Sequence, residues 1–227
     1  MPHYIFAMQL ALATAHAPSP SRANATHAIH GWGNVYVAGD TTLLARPAVA
    51  IIGSRHASNE GRNAAATIAT DLAHAGIVVL SGLAAGIDGV AHEATLAAGG
   101  RTIAVIGTSL DKAYPKEHTA LQARIATEHL VVSPFESGTP TAAWRFPKRN
   151  RLMARLAQAT ILIEASSKSG TRHQVDECAS LGRPIFAPAY LLEQLEWLNT
   201  PSVRRHVHTW REPTEVVAAL AEHLALL

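Results

Sequence analysis

The chain has 227 residues, 48% hydrophobic and 16% charged, with a formal net charge of +2. That composition excludes a disordered chain and leaves room for one large domain with a substantial core. A single cysteine, Cys178, excludes an internal disulfide framework and a cysteine-rich zinc site.

Residues 1–30 are rich in Ala, His, Ser and Pro, and Pro18-Ser19-Pro20-Ser21 breaks any regular element. They are expected to form a loosely ordered lead-in. The apolar stretch Tyr4 to Ala17 lacks the basic start of an export signal, and no apolar run reaches the roughly 18 residues of a membrane span. The chain is therefore expected in the cytoplasm, without a membrane partner.

Val35 to Ala38 reads as a strand, and Ala48 to Ile52 as a buried one ending in Gly53-Ser54-Arg55. Ser58 to Ala75 reads as a helix, with Ala65, Ile68, Ala69 and Leu72 at helical spacing, Ser58 as its N-cap and Gly76 as its stop. Ile77 to Leu80 is a second strand. It feeds the glycine-punctuated loop Ser81-Gly82-Leu83-Ala84-Ala85-Gly86 and a helix over 88–98. Strands over 102–106, 130–132, 160–164 and 184–187 follow, the last of them closing the core. Helices are expected over 117–128, 151–157, 170–181, 191–198 and 213–227, with an irregular connection over 138–147.

Strands and helices alternate at the spacing of βαβ units. The expected fold is an α/β, Rossmann-like, doubly wound and mostly parallel sheet with helices on both faces. The expected organisation is a lead-in over 1–30, the Rossmann domain over 31–190, and a helical extension over 191–227 packed on the core. Right-handed crossovers bring the loops after the strands to one edge, where such folds bind anionic ligands.

Gly53 allows close backbone approach to a phosphate, Ser54 offers a hydroxyl, and Arg55 a planar bidentate fork. The same tripeptide also suits an ordinary tight turn with a surface arginine. The Ser81–Gly86 loop precedes a helix and can present backbone N–H groups to an anion. Its glycines are four apart, so it is not a dinucleotide fingerprint. Asp88 suits a helix cap or a hydrogen bond to a sugar or base, and His92 one turn on suits a structural hydrogen bond or an acid/base pair with Asp88.

Arg145, Lys148, Arg149, Arg151 and Arg155 crowd one short run beside Trp144 and Phe146. Cations next to aromatic faces suit single-stranded nucleic acid, with phosphates on the cations and bases on the rings. A solvated basic helix start is the alternative. Lys168-Ser169-Gly170 lies in another strand-to-helix loop suited to phosphate. Cys178 falls on an apolar helix face and reads as core, and the histidines show no metal-ligand spacing. No catalytic residue, cofactor or metal is expected.

Five motifs stand in order: Ala50 to Arg55; Ser81 to Asp88 with Ala91-His92; Gly100 to Gly107 with Leu110-Asp111 and Tyr114-Pro115; Phe146 to Arg151; and Glu164-Ala165 with Ser169-Gly170. Over 35–188 this resembles the DNA-processing protein A family (DprA, also called Smf). The resemblance implies an extended Rossmann fold that binds single-stranded DNA and helps load the RecA recombinase during natural transformation. It also implies a homodimer, and a binding protein in place of an enzyme. Its strand-binding pocket would comprise Gly53, Ser54 and Arg55; Ser81, Gly82, Leu83, Ala84 and Gly86; Phe146, Lys148, Arg149 and Asn150; and Lys168, Ser169 and Gly170.

The chain departs from the family in several places. The segments before and after the core are short for the helical and winged-helix domains family members usually carry. The usual Ser-Gly-Ser-Leu-Ile-Thr-Ala run is replaced by Ser169 to Val175, and Ala187-Pro188-Ala189 stands for Val-Pro-Gly. The altered loop looks somewhat like that of LOG-type nucleotide phosphoribohydrolases, with Gln174 where they carry a glutamate. A nucleotide sensor or hydrolase, with Asp176 or Glu177 supplying the acid, is the competing expectation.

Overall fold

Apolar runs of four or five residues are too short for helices, and those between glycine turns become strands buried on both faces. In the computed structural model, which describes residues 25–224, this holds for β3 (Ala48–Ile52), β4 (Val78–Ser81), β5 (Thr102–Val105), β6 (Leu130–Ser133), β7 (Ala159–Leu162) and β8 (Ile185–Pro188), each buried at every residue. With β1 (Ala25–Ile29), β2 (Gly33–Gly39) and β9 (Val207–Trp210) they form one nine-stranded sheet in the order β1-β2-β6-β5-β4-β3-β7-β8-β9. β6 through β9 in that order are parallel, while β1 and β2 pair antiparallel at one edge.

The sheet is doubly wound, as expected. From β3 the chain proceeds to β4 and β5 on one side, and later from β7 to β8 and β9 on the other. The strand order therefore reverses between β3 and β7, and a crevice opens beyond their C-terminal ends.

Alternating residues sort to two layers. Val49, Ile51, Val79 and Ile161 pack beneath α1 (Asn59–His74), α2 (Ile87–Ala97) and α8 (Val216–Leu224) through Ile68, Leu72, Ala91 and Leu220. Ala50, Leu80, Leu162 and Ile185 pack on the other face against α4 (Arg145–Leu156), α5 (Arg172–Ser180) and α6 (Tyr190–Gln194) through Leu152, Met153, Val175 and Leu191. A smaller cluster joins Ala104 and Val131 to Ile125 of α3 (Thr119–Glu128). Ser58 caps α1, its hydroxyl accepting from Gly61 N at 2.9 Å.

Three boundaries differ from expectation. Ala25–Ile29 is not lead-in but a strand paired with β2 from Ala25↔Val37 to Ile29↔Gly33; residues 1–24 lie outside the described residues. The segment after residue 190 is not purely helical. Beyond α6 and α7 (Pro201–Arg204), Val207–Trp210 adds a parallel strand beside β8, so β8 is not the last strand. Val207-His208-Thr209-Trp210 is too short a run to separate from loop by pattern.

Helix α4 begins at Arg145, six residues ahead of expectation. Pro147 reads as a breaker, yet it is the third helical residue. The N–H groups of a first turn have no intrahelical acceptor, so proline is tolerated there. This early start carries Phe146, Lys148, Arg149 and Asn150 on a helix instead of a loop.

Candidate nucleic-acid interface

The crevice at the reversal point is a cleft of about 420 Å³. Gly53 to His56 form one wall, Phe146, Pro147, Arg149 and Asn150 another, and Ser166 with Lys168 to Thr171 a third, with Ala84 and Asp88 below. Loops distant in sequence meet here because each follows a neighbouring strand end or opens the helix laid over them.

β3 and β4 and the loops after them are tied together by one backbone and one side-chain hydrogen bond. Ile87 N donates to Ser54 O at 3.1 Å, and Ser81 Oγ donates to Ile51 O at 2.7 Å. Close approach is why small residues stand here. A Cβ on Gly53 would come within 2.6 Å of Ile87 Cγ1, and one on Gly86 would strike Arg55 O at 2.6 Å. Gly86 also has φ +79, where a side chain is strained. Leu83, at φ 56, is held left-handed with its side chain fully buried, and its carbonyl lies 3.0 Å from His118 Nδ1.

Several polar groups of this floor are satisfied by the protein itself. Arg149 is only 4% exposed. Its Nη1 donates to Val105 O at 2.7 Å and to Gly82 O, tying the ends of β4 and β5. Burial lowers its pKa to about 10, so it stays cationic at neutral pH. Asp88 lies within the first turn of α2 and is not its cap; Oδ2 accepts from Ala84 N at 3.4 Å. Burial pushes its carboxyl above the usual range, opposed by the Arg149 guanidinium. Ala84 and Ile87 thus have their N–H groups engaged, so this loop is a less open anion cradle than its glycines imply.

His92 does not pair with Asp88. Its Nδ1 lies 2.7 Å from Thr102 Oγ1, which itself donates to Val79 O at 2.8 Å. Burial drives its pKa down to about 3, so the ring is neutral at physiological pH.

The rim differs from the floor. Arg55, Lys148 and Lys168 are exposed, and among the described residues none of them forms an ion pair. The Arg55 guanidinium lies 5.3 Å from the centre of the Phe146 ring, and Tyr114 stands 5.4 Å from the same ring at 49°. Phe146 rests close to Gly107, where a Cβ would meet its Cδ1 at 2.6 Å. A Tyr114–Phe146–Arg55 platform therefore borders the cleft, with Tyr114 49% exposed.

Ser54 Oγ accepts from His56 N at 3.1 Å. Asn150 Nδ2 donates to Gly170 O at 3.0 Å, and Ser169 Oγ lies 2.8 Å from Thr171 Oγ1. Glu164 fixes the loop after β7 by accepting from Ser58 N at 3.1 Å and from Ser58 Oγ at 2.6 Å.

Of the expected site residues, Gly53, Ser54, Arg55, Ala84, Phe146, Arg149, Asn150, Lys168, Ser169 and Gly170 line this cleft; Ser81, Gly82, Leu83 and Gly86 do not, and Lys148 faces the outer side of α4. Ser81, Leu83 and Arg149 are buried; Arg55, Lys148, Lys168 and Gly170 are exposed. Tyr114, His56 and Gln174 join the site without having been among the expected strand contacts. The Tyr114-Pro115 pair carried a motif signal but no assigned role. The candidate acids of a hydrolase do not line the cleft: Asp176 pairs with Arg172 at 3.6 Å, and Glu177 with Arg155 at 2.7 Å. Gln174 is fully buried, with Nε2 donating to Thr160 Oγ1 at 3.2 Å. Among the described residues no group of three His, Cys, Asp or Glu is placed to hold a metal, and no helix is long and apolar enough to cross a membrane.

Comparison with known proteins places the chain in a family. The chain is 40% identical over 162 residues to the DNA processing protein DprA of Streptococcus pneumoniae, covering 71% of this chain and 57% of that protein. The crystal structure of the pneumococcal protein superposes with a TM-score of 0.72 at 35% identity, covering 82% of this chain and 66% of the other. A Helicobacter pylori DNA processing protein A, solved for its single-stranded DNA binding mode, gives a TM-score of 0.74 at 28% identity, covering 91% and 96% of the two chains. The chain spans about half the length of the curated relatives it matches, 57% and 52% for the first two. Residues 23–210 match the family described as DNA recombination-mediator protein A, and the chain belongs to that family.

Proposed function

We infer that the chain binds single-stranded DNA in the cleft between β3 and β7, and acts in DNA processing during recombination or uptake. The observation that carries this reading is the rim. Among the described residues Arg55 and Lys168 stand free of ion pairs on a cleft lined by a half-buried Phe146, beside an exposed Tyr114, and Lys148, also unpaired, stands just outside it beyond Pro147. Phosphates fit the cations and bases stack on the rings, a combination tolerant of sequence. The Helicobacter protein of matching fold, solved for its mode of binding a single strand, supports strand binding by this chain.

Loading a recombinase of the RecA type onto the bound strand, and assembly as a homodimer, complete the proposal by analogy with the family. The test is filter binding of oligothymidylate at rising salt. If each of the rim cations meets one phosphate, log K falls by roughly 0.7 per contact for each decade of salt, so affinity drops about twentyfold between 50 and 200 mM. No measurable affinity at the lowest salt overturns the reading.

A further inference from the structure

The geometry points to a second strand-binding subsite in the groove between the β1–β2 turn and the outer face of α4, where a single strand leaving the main cleft continues. The inference rests on the reading of the cleft as a strand site.

Helix α4 presents two working faces. Phe146, Arg149, Asn150 and Met153 face the cleft. Trp144 at the N-cap, then Lys148, Arg151 and Arg155, recur at helical spacing along another side. They face Trp32, on the turn between β1 and β2, and Asn34, at the start of β2. Gly31 and Gly33, at φ +69 and +108, give that turn its shape, and Trp32 N donates to Ile29 O at 3.0 Å. The result is an open groove of about 610 Å³, larger than the main cleft.

Three features fit a strand. The groove is basic: Glu177 is its one acid and is paired with Arg155 at 2.7 Å, while Lys148 and Arg151 are exposed. It is aromatic: Trp144 is 59% exposed, braced edge-on by Phe135 at 5.7 Å with Arg145 at 5.5 Å, so the indole is held in place yet accessible. It is continuous with the cleft, since Pro147 lines both and Lys148 follows it. A strand crossing Pro147 exchanges the Phe146 platform for the indoles without leaving a basic surface. Among the described residues no group of three His, Cys, Asp or Glu is placed to hold a metal there.

The experiment compares oligothymidylates of roughly four and roughly twelve nucleotides, lengths spanning the range of single-strand sites. It uses the full chain, the double variant Trp144→Ala/Arg151→Ala, and the charge reversal Arg151→Glu, each checked for an unchanged thermal midpoint. Wild type should bind the long strand more tightly than the short one by more than strand statistics alone give. The double variant should bind the short strand within about twofold of wild type and lose about tenfold or more for the long one, with a shallower salt slope. Arg151→Glu should show the same pattern. Long-strand affinity unchanged in both variants overturns the subsite and leaves the cleft reading intact. An equal loss for both lengths also overturns it, because the groove would then not be separable from the cleft. No binding of either oligonucleotide by wild type overturns the cleft reading and the subsite together.

Discussion

Lys148 and Arg149 are neighbours in sequence with opposite fates, and the cleft as a whole divides the same way. In the floor, Arg149 Nη1, Ser81 Oγ, Asp88 Oδ2 and the Leu83 carbonyl are held by protein partners. In the rim, Arg55, Lys148 and Lys168 face solvent without ion pairs among the described residues. A cation of the first kind ties strand ends together, and one of the second kind is available to a phosphate. The difference is set by what each side chain can reach, not by residue type.

That contrast breaks most visibly at Arg149. Arg149→Met strands the carbonyls of Gly82 and Val105 and leaves Asp88 without its buried cation. We expect a loss of about 3–5 kcal/mol in denaturant unfolding. A loss under about 1 kcal/mol would erase the distinction between floor and rim.

Acid probes the layer behind the floor. His92 titrates at about 3 in the folded chain and at 6.5 when exposed. Between those values the unfolded chain binds the extra proton. Stability is therefore full above pH 6.5 and falls as pH drops towards 3, by up to about 1.4 kcal/mol per pH unit. Asp88 acts in the opposite sense: its raised carboxyl favours the fold below 3.8 and loses that benefit as pH rises. The two are separated by His92→Gln. Denaturation at pH 7.5 and 4.5 should show the variant's pH dependence flatter than wild type by about 2–3 kcal/mol.

The rim is probed by binding. Phe146→Ala should cost about 1–3 kcal/mol of single-strand affinity, a loss that persists at high salt. Lys148→Ala should cost less, about tenfold at low salt, and flatten the salt slope by about 0.7 while the unfolding midpoint stays put. The smallest effect belongs to Ser54→Ala. Its hydroxyl already serves His56 N, so only a few tenths of a kcal/mol should be lost in stability. A binding loss as large as that of Lys148→Ala would move Ser54 from the turn into the ligand contacts.

Much of this was legible in the sequence. The buried strands around the reversal point read correctly because short apolar runs bounded by Gly-Ser-Arg and Ser-Gly-Leu leave few alternatives. The helix 59–74 was marked at both ends by Ser58 and Gly76. Other features depend on packing that no local pattern carries. Adjacent helical residues point about 100° apart, so Lys148 and Arg149 separate only once α4 lies on the sheet. Tyr114 and Trp32 reach their places from loops far from Phe146 in the chain. β9 adds to the sheet because β8 offers it an edge; Val207, Thr209 and Trp210 favour a strand, but four residues are too short a pattern to separate from loop.

Cys178 was read as core, and its surroundings have a practical consequence. Its thiol is fully buried, lies 3.0 Å from Thr160 Oγ1, and is pushed up to about 11. Alkylating reagents attack the thiolate, so the folded chain should behave as if it carried no cysteine at all. A cysteine placed at exposed Ser167 beside the cleft would then be the one position to accept a fluorophore. The native thiol would stay silent until the chain unfolds, giving one labelled molecule two independent signals.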